Sequence, residues 1–372
     1  MSQGQVLVTA DNLGQGATNS IERKLLFIGK APENQLKVVS INGQSDLDAL
    51  LGEAESALKT QLRAAMLNAD GLFEAYALPL DDITTQLMAV DTAMVQGIQV
   101  EGIVLCEPLE DKAAVEAVFT KQQEVENAYH RFHFFLGCVA GIQADTQTWS
   151  DYTAATAAIT DGVAAYTVGV VPLLHGNDLG ALAGRLCKHA VTVADSPMRT
   201  ATGTMVGLGA APVDMDSVPL PSAVTAALDD ARLSCTQTYP DYDGVYFGDL
   251  NLLDAEGGDY QVIENLRVVN KARRAVRIKA IKLIADRKLN STPSSMAWAK
   301  RYLGEPLRQM AKRTVVAGVP FPGEIKPPQD DAITIVWQSK TQVRIYMRLT
   351  PYNAPKQIVI SIGLDLADGT VE

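Results

Sequence analysis

The chain has 372 residues, 47% of them apolar and 20% charged, and exceeds one ordinary core, so two or three globular domains are expected. No stretch of about 18 apolar residues occurs, which excludes a spanning helix, and the opening MSQGQVLVTADN lacks the basic and apolar regions of a secretory signal. The net charge of −11 is unevenly divided: residues 1–260 hold 13 Lys and Arg against 34 Asp and Glu, and residues 261–372 hold 19 against 9.

An acidic body with a basic tail suits nucleic acid, an acidic protein partner, or copies of the chain packed acid to base. In chain order, residues 1–23 come first as a polar, Gly-containing arm. It has one extended candidate, Val6, Leu7, Val8 and Thr9, and too few apolar residues to fold alone. Such an arm frays or adds a strand to some sheet. From Arg23 onward, short apolar strands alternate with amphipathic helices. Strands are predicted at 24–28, 36–41, 72–78, 102–106, 134–142 and 166–174. Helices are predicted at 55–68, 83–96 (capped by Asp81 or Asp82), 111–132, 148–163 and 179–189. This rhythm predicts an α/β fold, α+β overall, whose outer domain (24–239) is an open sheet with helices on its faces. Pro and Gly break the pattern at 194–221, and a helix at 222–233 and extended segments at 236–250 follow.

The stretch 260–289 has no Pro and no Gly and reads as one long helix. Val262, Leu266, Val269, Val276, Ala280 and Leu283 form a narrow apolar stripe, with nine Lys and Arg against two acids around it. Val268, Ile278 and Ile281 lie off the stripe among the basic residues, so contacts on more than one side are expected. A helix at 294–312, kinked by Pro306, then precedes a Pro-rich linker at 318–331. Two strands close the chain, at 333–349 and 356–366, each alternating as in a sheet with one buried face. An inner assembly domain is placed at 240–356 and a C-terminal arm at 357–372.

Candidate chemistry is sparse. Cys106, Cys138, Cys187 and Cys235 are far apart in apolar surroundings and fit reduced core thiols rather than a zinc or redox motif. There is no phosphate-binding loop, and the GTMVGLG run has the wrong glycine spacing for a dinucleotide site. His130 and His133, at i and i+3 near a helix end, could share a metal, but Phe132, Phe134 and Phe135 around them suggest core. His175, at a strand end, stands where an α/β enzyme places a catalytic group, yet no nucleophile is evident to pair with it. The competing function is a soluble α/β enzyme or nucleotide-binding protein with His175 and the 194–212 loop near its site. Nucleic acid is disfavoured, because Tyr260 is the one aromatic in the basic helix and the acidic body would repel a polyanion. No catalytic residue, cofactor or metal is assigned, and no enzyme activity is expected.

The order of the tail carries a resemblance. Tyr260, Ile263 and Arg267 open a long basic helix, followed by a Trp-containing helix, a Pro-rich turn and closing strands. This resembles the C-terminal domain of contractile-tail sheath proteins of bacteriophages and related injection machines, and is similar to the compact branch found in Mu-like phages. The resemblance covers residues 240–372, with residues 1–23 as the matching arm. It implies a virion tail sheath subunit, made in the host cytoplasm, that stacks in rings as a helical homo-oligomer around a tail tube. Baseplate and tail terminator proteins are further implied partners; no membrane is. It also implies that Val6, Leu7, Val8, Ile358, Ile360, Ile362 and Leu364 add strands to neighbouring subunits. Arg267, Lys271, Arg274 and Lys282 are implied to face the tube.

Overall fold

Apolar runs such as LLFI and FFLGCV leave neither face fit for water, so each must lie inside a sheet covered on both sides. The computed structural model describes residues 21–316 and 318–362. Its main sheet has seven strands: β1 (Leu25–Lys30), β2 (Val39–Asn42), β3 (Glu74–Leu80), β4 (Gly102–Leu105), β5 (Phe134–Val139), β6 (Ala165–Pro172) and β9 (Leu252–Leu253). Before β9 comes a hairpin of β7 (Thr236–Tyr239) and β8 (Tyr242–Phe247). The lateral order is β2-β3-β1-β4-β5-β6-β9. The inner five strands are parallel, and β2 and β9 are antiparallel edges.

Counted among themselves, the parallel strands run 2-1-3-4-5, a doubly wound order that places helices on both faces. Helices α1 (Leu47–Leu51), α2 (Ala57–Asn68) and α6 (Asp178–Cys187) cover Leu25, Phe27, Leu136 and Cys138. On the other face α3 (Gln86–Val95), α4 (Lys112–Tyr129), α5 (Trp149–Thr160) and α7 (Ser222–Asp230) cover Leu26, Ile28, Phe135 and Val139. Ser56, Thr85, Asp111 and Thr148 cap four of these helices by accepting a backbone N–H three residues on.

Helices α2 and α6 meet backbone to backbone. A Cβ at Gly180 would stand 2.0 Å from the Gln61 carbonyl oxygen, and one at Gly184 would stand 2.2 Å from that of Ala65. Only glycine permits that approach. The irregular 194–221 segment is held to this face by buried Arg185, whose guanidinium donates to the carbonyls of Pro197, Gly203 and Arg199 at 2.5, 2.8 and 2.7 Å.

The rest of the chain builds a second core. Helices α8 (Ile263–Ile281), α9 (Pro293–Leu303) and α10 (Glu305–Met310) pack with the hairpin β12 (Ile333–Trp337)/β13 (Val343–Met347), and a short hairpin, β10 (Thr314–Val316)/β11 (Val319–Phe321), lies between α10 and β12 in the chain. Val268, Ala272, Leu307, Ile325, Ile333 and Ile335 are the centre of this core.

Several expectations are corrected here. The division at 240 is too early: Phe247, Leu250 and Leu252 belong to the outer core, because β8 pairs with β7 and β9 with β6. The two cores part along α8, whose Ile263 and Leu266 serve the outer core and whose Val268 and Ala272 serve the inner one. The long helix stops at Ile281 rather than 289, and turns with Ala285 left-handed lead the chain back to α9. The next helix breaks at Gly304, not at Pro306, which sits in the first turn of α10 where its missing N–H costs nothing. The supposed linker 318–331 contributes β11.

The strand expected over 333–349 is a hairpin, β12 and β13. Ile333 pairs with Met347 and Ile335 with Ile345, so the period-2 alternation runs unbroken through the turn and hides it. Residues 356–362 lie in no strand. Val6, Leu7, Val8 and Leu364 fall outside the described residues.

Candidate assembly interface

Helix α8 owes its position to charges that its own chain neutralises. Arg267 is 2% exposed and donates from Nε and Nη2 to both carboxylate oxygens of buried Glu101, at 2.7 and 2.8 Å. A third bond reaches the Leu186 carbonyl at 3.1 Å. Burial alone would raise the Glu101 carboxyl, but the charge and hydrogen bonds of Arg267 hold it below the usual carboxylate range. Arg267 is pushed up by the same pairing, against the desolvation that opposes it.

The other predicted tube-facing residues divide. Lys271 pairs with Glu324 at 2.6 Å, and Arg274 with Glu22 at 2.9 Å and with the Phe132 carbonyl at 3.2 Å. Arg273 meets Glu126 and lies 3.8 Å over the Phe132 ring. Lys279 meets Glu305 and lies 4.3 Å from the centre of the Tyr302 ring. Within the single subunit Arg267, Lys271 and Arg274 are thus engaged by the chain's own acids: Arg267, Arg273 and Arg274 by Glu101, Glu126 and Glu22 ahead of the helix, and Lys271 and Lys279 by Glu324 and Glu305 behind it. Lys282 is exposed, as are Arg277, Arg287 and Lys288. The off-stripe apolar residues divide too. Val268 is buried in the inner core, while Ile278, Ile281 and Ile284 are 40%, 48% and 75% exposed.

The middle of the expected stripe does not face a finished core, although Leu266 and Leu283 are buried. Val269 and Val276, with Ala272, Leu307, Met347 and Leu349, line an apolar groove of about 350 Å³ between α8 and β13. Beside it the β12–β13 sheet has two strands, so each has an edge with no partner strand among the described residues. The sheet buries Ile333 and Ile335 on one face and leaves Val336 and Tyr346 44% and 53% exposed on the other. Ile358, Val359, Ile360 and Ile362 follow at 71–93% exposure. Just before them, Lys356 reaches Asp249 and, at 2.7 Å, Glu264 at the start of α8. Sequence spacing could not find Glu22, Glu101 or Lys356; their partners on α8 lie 252, 166 and 92 positions away, and only an acid set directly before an apolar strand run hinted at Glu101.

The positions that would carry chemistry are occupied differently. His130 caps α4 in the left-handed region and is exposed, whereas His133 is buried, so the two do not share a helix face. Burial, aided by Arg274 and Arg131, pushes the His133 imidazole down to about 3. His175 is engaged by Asp178, and the 194–212 loop is bonded by its neighbour Asn177. The His175 Nδ1 is 2.8 Å from Asp178 Oδ1, its N–H donates to Asp178 Oδ2 at 2.6 Å, and Asn177 bonds Gly207 and Gly209. At the sheet's switch point, between the ends of β1 and β4, the Lys30 N–H donates to Glu107 at 2.8 Å, and Glu107 and Gln86 exchange two bonds at 3.0 Å. All four cysteines are buried and free, and burial pushes Cys235 up to about 12.

Comparison with known proteins accounts for nearly the whole chain. Residues 3–251 match the family described as DUF2586, N-terminal domain, and residues 259–367 match DUF2586, C-terminal domain. The chain is 45% identical over 367 residues to a protein of Haemophilus phage HP1 (strain HP1c1) described as a tail sheath protein, covering 97% of this chain and 98% of that one. Among solved structures it resembles a chain of the anti-feeding prophage baseplate, with TM-score 0.61, 14% identity, and 98% and 100% of the two chains covered. It also resembles a chain of the PVC sheath complex of an extracellular contractile injection system in the contracted state, with TM-score 0.61, 13% identity, and 97% and 99% covered. These two likenesses are of fold.

Proposed function

The chain belongs to the DUF2586 family, and to the same family as the HP1 sheath protein; on that premise we propose how it works as a structural subunit of a contractile phage tail sheath. It is a virion component. Subunits polymerise into stacked helical rings around a tail tube and seat on a baseplate, with a terminator closing the far end. The polymer is held stretched and metastable until contact with the host lets it repack and drive the tube through the envelope. A head-to-tail contact that does not close on itself generates such a helix.

The observation that carries the proposal is the unfinished inner domain. A two-stranded sheet with a buried face, edges that no described strand covers and an apolar groove stands beside a tail segment whose isoleucines are 71–93% exposed. Among the described residues neither half has a partner strand, and a second copy would supply one by strand addition through Ile358, Ile360, Ile362 and Leu364, and through Val6, Leu7 and Val8 at the other end. Main-chain hydrogen bonds made this way survive a large rigid-body rearrangement of the subunits. Electron microscopy of the purified protein is expected to give tubes or stacked rings. Deleting residues 1–20 or 357–372 should abolish them and leave a folded monomer; long tubes from both truncations overturn strand exchange.

The tube contact is assigned to the exposed end of the α8 region, where Ile278, Ile281 and Ile284 lie among Arg277, Lys282, Arg287 and Lys288. An acidic tube surface with apolar relief complements it. Reversing Lys282 and Arg287 to Glu should cut loading onto tubes while self-polymerisation persists; unchanged loading removes the assignment.

A further inference from the structure

Both ends of the described chain are fastened to one helix. At the N-terminal side Glu22 accepts from Arg274 at 2.9 Å, with 10% and 13% of the two side chains exposed. The Arg23 N–H donates at 2.7 Å to Glu101, the same carboxylate that grips Arg267. Arg23, with φ of 71°, also donates from its guanidinium to the Lys188 and Val191 carbonyls at 3.2 and 2.6 Å. At the C-terminal side Lys356 bridges Asp249 and Glu264, whose side chains are 14% and 12% exposed. Glu264 and Arg274 are ten residues apart on α8, about 15 Å along its axis.

We propose that α8 is the strut that mechanically joins the two arms of a subunit, each arm being tied to it at its root by ion pairs. Tension entering at residue 22 reaches residue 356 across two ion pairs and a short length of helix. That route does not run through the 252 positions of chain between Glu22 and Arg274, although Arg23 also ties this root to Glu101 just ahead of β4. Partly shielded charge pairs suit this task, the most exposed member being Lys356 at 30%, because separating them leaves charge unpaired and so resists a small displacement. The role in a lattice rests on the strand-exchange reading above; the tie is a property of the single subunit and is tested there.

The experiment pulls the full-length monomer in an optical trap through handles at its two ends and reads the force of the first rupture. Lys356→Met removes the C-terminal tie, Glu22→Gln removes the charge from the N-terminal one, and Arg63→Met removes an outer-domain ion pair as a control. The first-rupture force should fall by at least a third in K356M and in E22Q and stay at the wild-type value in R63M. Hydrogen exchange on the same proteins should quicken at 352–358 in K356M and at 21–24 in E22Q, without a general loss of protection. An unchanged force in either tie variant overturns the tie at that root, and an equal fall in R63M overturns the strut. Tube formation by these variants bears on strand exchange alone.

Discussion

A charged pair with almost no exposed surface is the feature on which the junction of the two domains turns. Removing one member of a buried ion pair leaves the other unpaired and typically costs about 3–5 kcal/mol. Glu101→Gln and Arg267→Met should each destabilise the monomer on that scale in urea unfolding, while Glu101→Leu with Arg267→Met should lose less than the two single effects combined. Because the folded Glu101 carboxyl lies below its unfolded value, its contribution is whole above about pH 4.3 and is lost as pH falls through the lowered value. His133 acts earlier on the pH scale. Neither ring nitrogen makes a well-formed hydrogen bond, and the imidazole is pushed down to about 3, so the unfolded chain takes up its proton first. Stability tied to His133 is whole above about pH 6.5 and declines by up to about 1.4 kcal/mol per pH unit below it. Comparing urea midpoints at pH 7.5 and 5.5, His133→Phe should flatten that decline; an unaltered slope would assign the acid sensitivity elsewhere.

Among elements, the α2–α6 crossing and the β12–β13 hairpin show opposite sides of legibility. Gly180 and Gly184 are four residues apart on a short helix, and only the neighbouring backbone explains them. Gly180→Ala or Gly184→Ala must push the helices apart and should cost about 1–3 kcal/mol, with the thermal transition moving down. An unmoved midpoint would mean that the helices can separate freely. The outer strands and helices were readable because their local signals agree: uniformly apolar runs for parallel strands, and Ser, Thr or Asp caps ahead of amphipathic stretches. The hairpin was misread as one strand because an odd spacing between Ile335 and Ile345 would have broken the alternation and the actual even spacing preserves it. Pro306 points to a kink because proline is disruptive inside a helix, yet in the first turn of α10 it is harmless and the break falls at Gly304.

At the scale of the molecule, part of the attraction between an acidic body and a basic tail is satisfied within one subunit. Glu101, Glu126 and Glu22 come from the body and meet Arg267, Arg273 and Arg274 of the tail. The surfaces proposed for partners are smaller and more specific: the exposed isoleucines and bases at the end of α8, and the β12 and β13 edges that have no partner strand among the described residues. Salt should therefore weaken loading onto the tube more than it weakens the monomer. Exposed bases are screened within about 10 Å at 0.1 M, whereas the buried Glu101–Arg267 pair is screened far less. Raising salt from 0.05 to 0.5 M should lower tube loading with little change in the urea midpoint; equal sensitivity would place the loading energy in apolar contacts.

The sequence by itself determined the alternation of strands and helices, the second domain at the C-terminal end, the sheath-like order of the tail and the presence of a basic helix. Each of these is written in local period, capping and composition, which act over a few residues. Only the tertiary structure decided which charges of that helix are spent, because Arg267 and Glu101 are 166 positions apart and nothing local links them. It also decided where the cores part, since a helix with two buried faces reads the same in sequence whether they serve one core or two. The strands expected at the tail mark the remaining boundary: their alternation is local, but a strand needs an edge to pair with, and for residues 358–362 that edge is assigned to another copy of the chain.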